Sequence, residues 1–436
     1  MTAPQNAASA DAVFNGIRRQ FPILDRTVHG KPLTYFDSAA TAQKPRMVID
    51  AESRYYETIN AGVHRSAHEL AAQATLAFEE ARRRAGRLVG AEEHEGQEEI
   101  VVTSGATAAF NLLATAIGNA SVGAGRPESK RFALRPGDKV VVSQVEHHSV
   151  LLPFQELCAR TGAKLSWLET DDEGSIRSQD ADTIITPGTK IVAVTLVSNV
   201  TGAVTNLTPI VERSHAVGAI VVLDLCQATP HLPVDVHALD VDFACWSAHK
   251  MYGPTGVGFL YGRRELLEAL PPANFGGSMV GLAWLDRPAR YIDPPERFEA
   301  GTQPVAQAIA AGVASEWLRN IGLDAVAEHE RAVTQELLRV GDVPGVRILG
   351  KSSLDGRIGT VSFDVEGVHP HDVGQFLDAQ GIAIRTGYHC AQPIHRRFGL
   401  FASNRASVGV YNTVEEARRL VDAVAQVRPY FLGVKA

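Results

Sequence analysis

Two side chains of opposite charge are spaced for a particular kind of chemistry. Asp224 closes the apolar run from Ile220 to Leu223, and Lys250 follows a short way downstream in the tetrapeptide SAHK that begins at Ser247. A carboxylate that keeps a pyridinium nitrogen charged, and an amine that forms a Schiff base, are the two groups a pyridoxal 5'-phosphate pocket requires. Ser247 and His249 offer donors to a phosphate, and Gly253, Pro254, Gly256 and Gly258 permit tight turns and close approach of backbone to a ligand. Either half alone reads equally as a buried strand, or as a surface lysine beside a glycine-rich turn. Only the pair favours a cofactor.

Other segments gain meaning beside this pair. Thr103 to Asn111, TSGATAAFN, follows an expected strand and opens an expected helix, so backbone N–H groups near Gly105, Ala106 and Thr107 would face an anion with the helix dipole behind them. Alone it is an ordinary strand-to-helix turn. Glu146, His147 and His148 come directly after another expected strand, at the edge where open α/β sheets bind ligands, and one imidazole there could lie on a pyridine face and exchange protons. Asn199 and Gln227 carry amides suited to the ring oxygen of the cofactor. In IRTGYHCAQPIHRR, Cys390 follows His389 and stands among Arg385, Arg396 and Arg397, a basic setting of the kind that activates thiols; an inert, half-buried thiol is the alternative. Arg385 and Arg405 could each grip an amino-acid carboxylate with two parallel hydrogen bonds. His64 and Arg65, in VHRSAH, are further candidates for a substrate mouth.

These groups need a scaffold, and the pattern is that of a mostly parallel sheet covered by helices. Strands are expected at Ile100 to Thr103, Lys139 to Ser143, Lys164 to Leu168, Lys190 to Ser198, Ile220 to Asp224, Asp242 to Trp246 and Gly256 to Tyr261. Helical stretches lie near Ala71 to Val89, Thr107 to Ile117, Leu151 to Thr161 and Leu207 to Val217. Several strands are almost continuously apolar, as burial of both faces demands. Gly118 to Asp138, rich in Gly, Ser, Pro and charge, reads as a long surface loop. After Gly301 come a helix from Val305 to Asn320, a second through Arg339, short strands at Gly359 to Asp364 and Ile382 to Arg385, and a closing helix from Val414 to Val427. The expected division is a loose tail over residues 1–12, a segment over 13–35 packed on the smaller domain, a large domain over 36–309, and a small C-terminal α+β domain over 310–436.

A chain of 436 residues exceeds what one ordinary core supports, which agrees with two domains. Its 45% hydrophobic and 21% charged residues argue against disorder, and a net charge of -7 supplies no field drawing it to nucleic acid or anionic lipid. Small-molecule and protein partners are expected, with no nucleic acid and no membrane. The start has no basic segment leading into an apolar core, and no run approaches the about 18 apolar residues of a membrane span, so a cytoplasmic location is expected. Four cysteines without paired C-x-x-C spacing suggest neither a metal site nor a disulfide scaffold.

Taken together, YFDSAATAQKP from Tyr35, VHRSAHELAAQAT, SQVEHHSV, VSNVTG, SAHKMYGPTGVG, RFEAGT, RTGYHCAQP and RASVGVYNT resemble the SufS-type (group II) cysteine desulfurases, within the class V aminotransferases of fold type I. The similarity runs nearly the whole chain. It implies an α/β fold with a seven-stranded, mostly parallel sheet, pyridoxal 5'-phosphate as cofactor, and L-cysteine as substrate. It further implies that Lys250 carries the cofactor and moves the α-proton, Asp224 pairs with the ring nitrogen, His147 stacks on the ring and Gln227 contacts its phenolic oxygen. Ala106, Thr107, Ser247 and His249 would bind the phosphate, and Thr302 the phosphate of the partner subunit in a homodimer. Asn199 and Arg405, with Arg385 close by, would hold the substrate carboxylate. Cys390 would take the sulfur as a persulfide and pass it to an acceptor of the SufE or SufU kind, feeding iron–sulfur cluster or other thio-cofactor assembly.

The chain departs from the family wording at Cys226, Ala248 and Tyr388, in Ala106-Thr107-Ala108, and after RFEAGT. None of these removes a catalytic group, but Cys226 and Tyr388 leave substrate and acceptor choice open. A selenocysteine lyase, a cysteine sulfinate desulfinase or another class V enzyme that does not need Cys390 is one alternative; a non-catalytic sulfur-transfer scaffold is another.

Overall fold

The computed structural model describes residues 12–91 and 99–434. The expected tail over 1–12 therefore lies outside the described residues except for Ala12, which begins helical turns over 12–18.

Seven strands form one sheet: β1 (Ile100–Thr103), β2 (Lys139–Ser143), β3 (Lys164–Leu168), β4 (Thr189–Thr195), β5 (Ile220–Asp224), β6 (Phe243–Ser247) and β7 (Gly258–Gly262). Their order is β1-β7-β6-β5-β4-β2-β3, parallel throughout except that β7 runs antiparallel to both of its neighbours. Strands β1, β5, β6 and β7 are buried at every position, which explains their unbroken apolar wording. Helices α1 (Glu69–Leu88), α2 (Ala106–Ser121), α3 (His148–Thr161), α4 (Thr208–Ala216) and α5 (Val305–Ile321) cover the sheet. Along α1 the buried residues Ala71, Ala74, Phe78, Ala81, Ala85 and Leu88 recur every three or four positions and form one stripe. That stripe meets α5 closely, because a Cβ at Gly312 would come within 2.6 Å of the Ala81 Cα.

The expected loop at Gly118 to Asp138 is largely structured. Helix α2 continues to Ser121, Pro127–Phe132 forms 3-10 turns, and Ser129, Phe132 and Leu134 are buried. Ser129 Oγ donates to the Ala269 carbonyl at 2.6 Å. The polar, proline-containing composition hides the few apolar anchors that fix the segment to the core.

The C-terminal part forms a second layer. Strands β8 (Val346–Leu349), β9 (Thr360–Val365), β10 (Arg385–Gly387) and β11 (Ser403–Ser407) make an antiparallel sheet in the order β8-β9-β11-β10. Helices α6 (Leu323–Leu337), α7 (Pro370–Asp378) and α8 (Val414–Ala425) supply the rest of its core, with Val333, Leu337, Phe363, Leu377 and Leu420 among the buried residues. A capping box starts α8: Thr413 Oγ1 accepts from the Glu416 N–H at 3.2 Å and Glu416 Oε2 from the Thr413 N–H at 3.1 Å. The expected strand at Ile382 to Arg385 is two pieces, Ile382–Ala383 pairing in parallel with Thr34–Tyr35, and β10. That pairing, and a bridge between Asp37 and Ser407, fasten the segment that begins near Thr34 alongside β11. Among the described residues no helix is long and apolar enough to cross a membrane.

Candidate active site

The carboxyl ends of β2, β5 and β6, the N-terminus of α2 and the tip of the small sheet surround a cavity of about 170 Å3. Lys250, Asp224, His147, Asn199, Arg405 and Cys390 all open into it. Two chain segments 140 positions apart, at Lys250 and Cys390, therefore share one cavity.

Asp224 is the last residue of β5 and is buried, with Oδ1 accepting from the Cys226 N–H at 2.8 Å. Burial pushes its carboxyl above the ordinary range, and the Lys250 ammonium pulls it back. Lys250 ends the single 3-10 turn, Ala248–Lys250, that follows β6. The turn is fixed from both sides. The Gly253 N–H donates to the Ala248 carbonyl at 2.9 Å, while the His249 carbonyl accepts from the Ala42 N–H and from Lys44 Nζ, each at 3.0 Å. Burial lowers the Lys44 amine to about 8.

The opposite end of the cavity is a cradle of hydroxyls and backbone at the start of α2. Gly105, with φ 142, caps the helix in a conformation L side chains rarely adopt. Gly258 lets β7 pass beside it, since a Cβ there would lie 2.5 Å from the Gly105 Cα. Ser247 Oγ accepts from the Ala106 N–H at 2.8 Å, and the Thr107 and Ser149 hydroxyls are 2.6 Å apart. His249 is held neutral, at about 4, by burial and by the Lys250 charge.

His147 is the N-cap of α3, and its Nδ1 accepts from the Ser149 N–H at 3.0 Å. In the neutral ring the proton is consequently on Nε2. Burial, reinforced by Lys250 and His148, lowers its pKa to about 3, so the ring is neutral across the physiological range.

Cys390 lies in the turn after β10. His389 and Cys390 both have positive φ, 49° and 53°, a strained pair for residues other than glycine. Three contacts hold the turn. Asn199 Nδ2 donates to the His389 carbonyl at 2.7 Å, the His148 N–H to the Cys390 carbonyl at 2.8 Å, and His389 Nε2 is 3.0 Å from Ser403 Oγ. Arg405, on β11, is buried; Nη1 donates to the Asn199 carbonyl at 3.0 Å and Nη2 to Asp37 Oδ1 at 3.3 Å, while Nε has no partner. Burial lowers this guanidinium to about 10, and Asp37 opposes that shift. Arg385 stands opposite Arg405 in the register of β10 and β11, so two like charges flank the cavity.

Not every expected residue lines this cavity. Gln227 is buried just behind it, with Nε2 donating to the Ala39 carbonyl at 2.9 Å and Oε1 unpartnered. Thr302 is exposed in the loop before α5. His64 pairs with Glu79 at 2.8 Å, and Arg65 donates to the Ser278 and Val280 carbonyls at 2.7 and 3.0 Å, which keeps both away from the cavity of this chain. Of the three arginines expected around Cys390, Arg385 shares its cavity, joined there by Arg405, whereas Arg396 and Arg397 are exposed and Arg397 pairs with Asp172 at 2.6 Å. The sequence reading passed over Asp37 and Ser149, and over Ala39 and Ala40 in the cavity wall. Asp37, Ala39 and Ala40 stand within YFDSAAT, which the fold brings to the cavity, and Ser149 stands two residues after His147 in EHHSV.

A buried carboxylate, an amine, a hydroxyl-lined helix start and an unpartnered guanidinium nitrogen form a donor set that fits a phosphorylated pyridine aldehyde. The model of the class V aminotransferases matches residues 34–420. A probable cysteine desulfurase of Streptomyces coelicolor is 44% identical over 417 residues, covering 95% of this chain and 97% of the relative. The apo cysteine desulfurase of Thermococcus onnurineus is 34% identical with a TM-score of 0.86, over 94% of this chain and 97% of that one. The cysteine desulfurase CsdA of Escherichia coli, solved as its S-sulfonic acid form, is 34% identical with a TM-score of 0.83, over 96% of this chain and 98% of that one. A match of that extent, on a fold-type-I scaffold, means that the chain belongs to the pyridoxal-phosphate-dependent class V aminotransferase family.

Proposed function

We propose that this chain is a cysteine desulfurase that converts L-cysteine to L-alanine and leaves the sulfur as a persulfide on Cys390. The observation that carries the reading is the opening of Lys250 and Cys390 into one cavity. Pyridoxal 5'-phosphate, when bound, supplies an electron sink that makes the α-proton of the amino acid acidic. Asp224 would partner its ring nitrogen, Lys250 would anchor it covalently, and Thr107, Ser247 and His249, with the Ala106 backbone, would cradle its phosphate; Gln227, behind the wall with its amide on the Ala39 carbonyl, would meet the ring oxygen only after that amide turned. His147, neutral and protonated on Nε2, would lie against the ring.

Arg405, with Arg385 at the mouth, is suited to grip the substrate carboxylate, and Asn199 orients it. The Lys250 amine takes the α-proton. The Cys390 thiolate attacks the substrate sulfur, the new S–S bond forms as the Cβ–S bond breaks, and the carbon fragment takes up protons to leave as alanine. Cysteine plus the Cys390 thiol gives alanine plus the Cys390 persulfide, with no external oxidant or reductant. The persulfide then passes by thiol exchange to an acceptor protein, for iron–sulfur cluster or related thio-cofactor assembly in the cytoplasm. Two chains form the working unit, with the exposed Thr302 reaching the phosphate of the partner's cofactor.

The test is mass spectrometry of the protein after incubation with L-cysteine, together with alanine release. One added sulfur on the peptide carrying Cys390 is expected. Cys390→Ala should abolish sulfur release while cofactor absorption remains; undiminished release by that variant would replace the reading with a lyase that does not need the thiol.

A further inference from the structure

We infer that His148, the neighbour of the cofactor-facing His147, is a positioning residue that clamps the Cys390 turn through both its backbone and its ring. This rests on the desulfurase reading and extends it to a residue with no role in binding cofactor or substrate.

The backbone N–H of His148 donates to the Cys390 carbonyl at 2.8 Å. Its ring closes a second contact two residues further on, Nε2 accepting from the Gln392 N–H at 3.3 Å. One residue thus grips the turn on both sides of the nucleophile. The Tyr388 ring lies over the imidazole, centroids 5.9 Å apart and planes 34° from parallel. Burial lowers the pKa of the ring, which favours the neutral form, and with Nε2 accepting, the proton of that form is on Nδ1.

The clamp has work to do, because His389 and Cys390 are in the left-handed region that non-glycine residues leave when unrestrained. Helix α3 begins at His148 itself, and the cap before it is His147. The helix start that carries His147 therefore also helps set the height of the thiol, alongside the Asn199 and Ser403 contacts to His389.

The test compares His148→Ala, →Gln and →Asn for alkylation of Cys390 by iodoacetamide in the resting holoenzyme without added cysteine, read on the Cys390 peptide. This readout needs no desulfurase activity, so its failure is separable from failure of the functional reading. His148→Ala should change the alkylation rate by roughly tenfold or more, and should lower kcat with cysteine by a similar factor while KM moves less than about twofold. The Gln carbonyl reaches the place of Nε2 and the Asn carbonyl does not, so Gln should keep near-parental reactivity and Asn should follow Ala. If His148→Ala fails to fold, the contrast of Gln with Asn decides. Reactivity of Gln and Asn equal to each other, or of Ala within twofold of the parent, overturns the clamp.

Discussion

Glu146, buried near Asp224, shows how much one side chain beside this site costs the fold. It is fully buried, Oε1 accepts from the Ser143 hydroxyl and from the Thr195 N–H at 3.0 Å, and Oε2 has no partner. Burial raises its pKa from 4.5 to about 8, and the nearby Asp224 adds to the shift. The folded state thus binds a proton that the unfolded state releases between pH 4.5 and about 8. Stability contributed by this group must fall as pH rises through that window. Glu146→Gln keeps the carbonyl acceptor and removes the titration. It should change the melting temperature little near pH 5 and raise it at pH 8, by the equivalent of up to about 4 kcal/mol. A gain that is the same at both pH values would show that the carboxyl does not titrate there.

At the scale of elements, the phosphate cradle depends on β7 running against the start of α2. A Cβ at Gly258 would meet the Gly105 Cα at 2.5 Å and the Trp246 carbonyl oxygen at 2.6 Å, both of them backbone. Neither can move without displacing a strand or the helix start. Gly258→Ala is expected to cost roughly 1 to 3 kcal/mol and to weaken cofactor affinity at least tenfold. Thermal unfolding and titration with pyridoxal 5'-phosphate would measure both, and unchanged affinity would mean that the cradle does not depend on this crossing. Glycine spacing suggested close approach here but not its partner, because the antiparallel return of β7 beside β1 is a matter of topology. The strands β1, β2 and β5 were legible to the residue, since burial on both faces writes them as apolar runs bounded by polar residues, and the edge strand β3, of which only Leu168 is buried, was legible too despite its mixed wording. Lys250, Asp224 and Cys390 were legible for a different reason, their chemistry and motif wording. Asp37 was not, because its partner Arg405 lies 368 positions away and no local pattern marks the meeting of the Thr34 segment with β11. The arginines beside Cys390 were legible only in part. Arg385 lines the cavity as expected, but proximity in sequence also pointed to Arg396 and Arg397, whereas helical turns after Cys390 carry these outward and the neighbouring strand supplies Arg405.

For the whole molecule, the open question is whether one chain completes a site. Thr302 is exposed and outside the cavity of its own chain, although its motif is among those that carry the family resemblance. A side chain that binds no group in its own subunit can act in another, and a symmetric dimer would then present each Thr302 to the other cavity. Complementation isolates this arrangement. Lys250→Ala chains cannot hold the cofactor covalently, and Thr302→Ala chains are expected to hold it about tenfold more weakly, the loss of one phosphate contact. When the two are mixed and allowed to exchange subunits, each hybrid dimer contains one cavity with Lys250 from one chain and Thr302 from the other. Half of the sites in the hybrid should therefore regain parental cofactor affinity, read as a tight phase in a titration at limiting pyridoxal 5'-phosphate. A titration that remains the sum of the two separate variants would place Thr302 outside the partner's site, and a chain that sediments as a monomer at micromolar concentration would remove the premise.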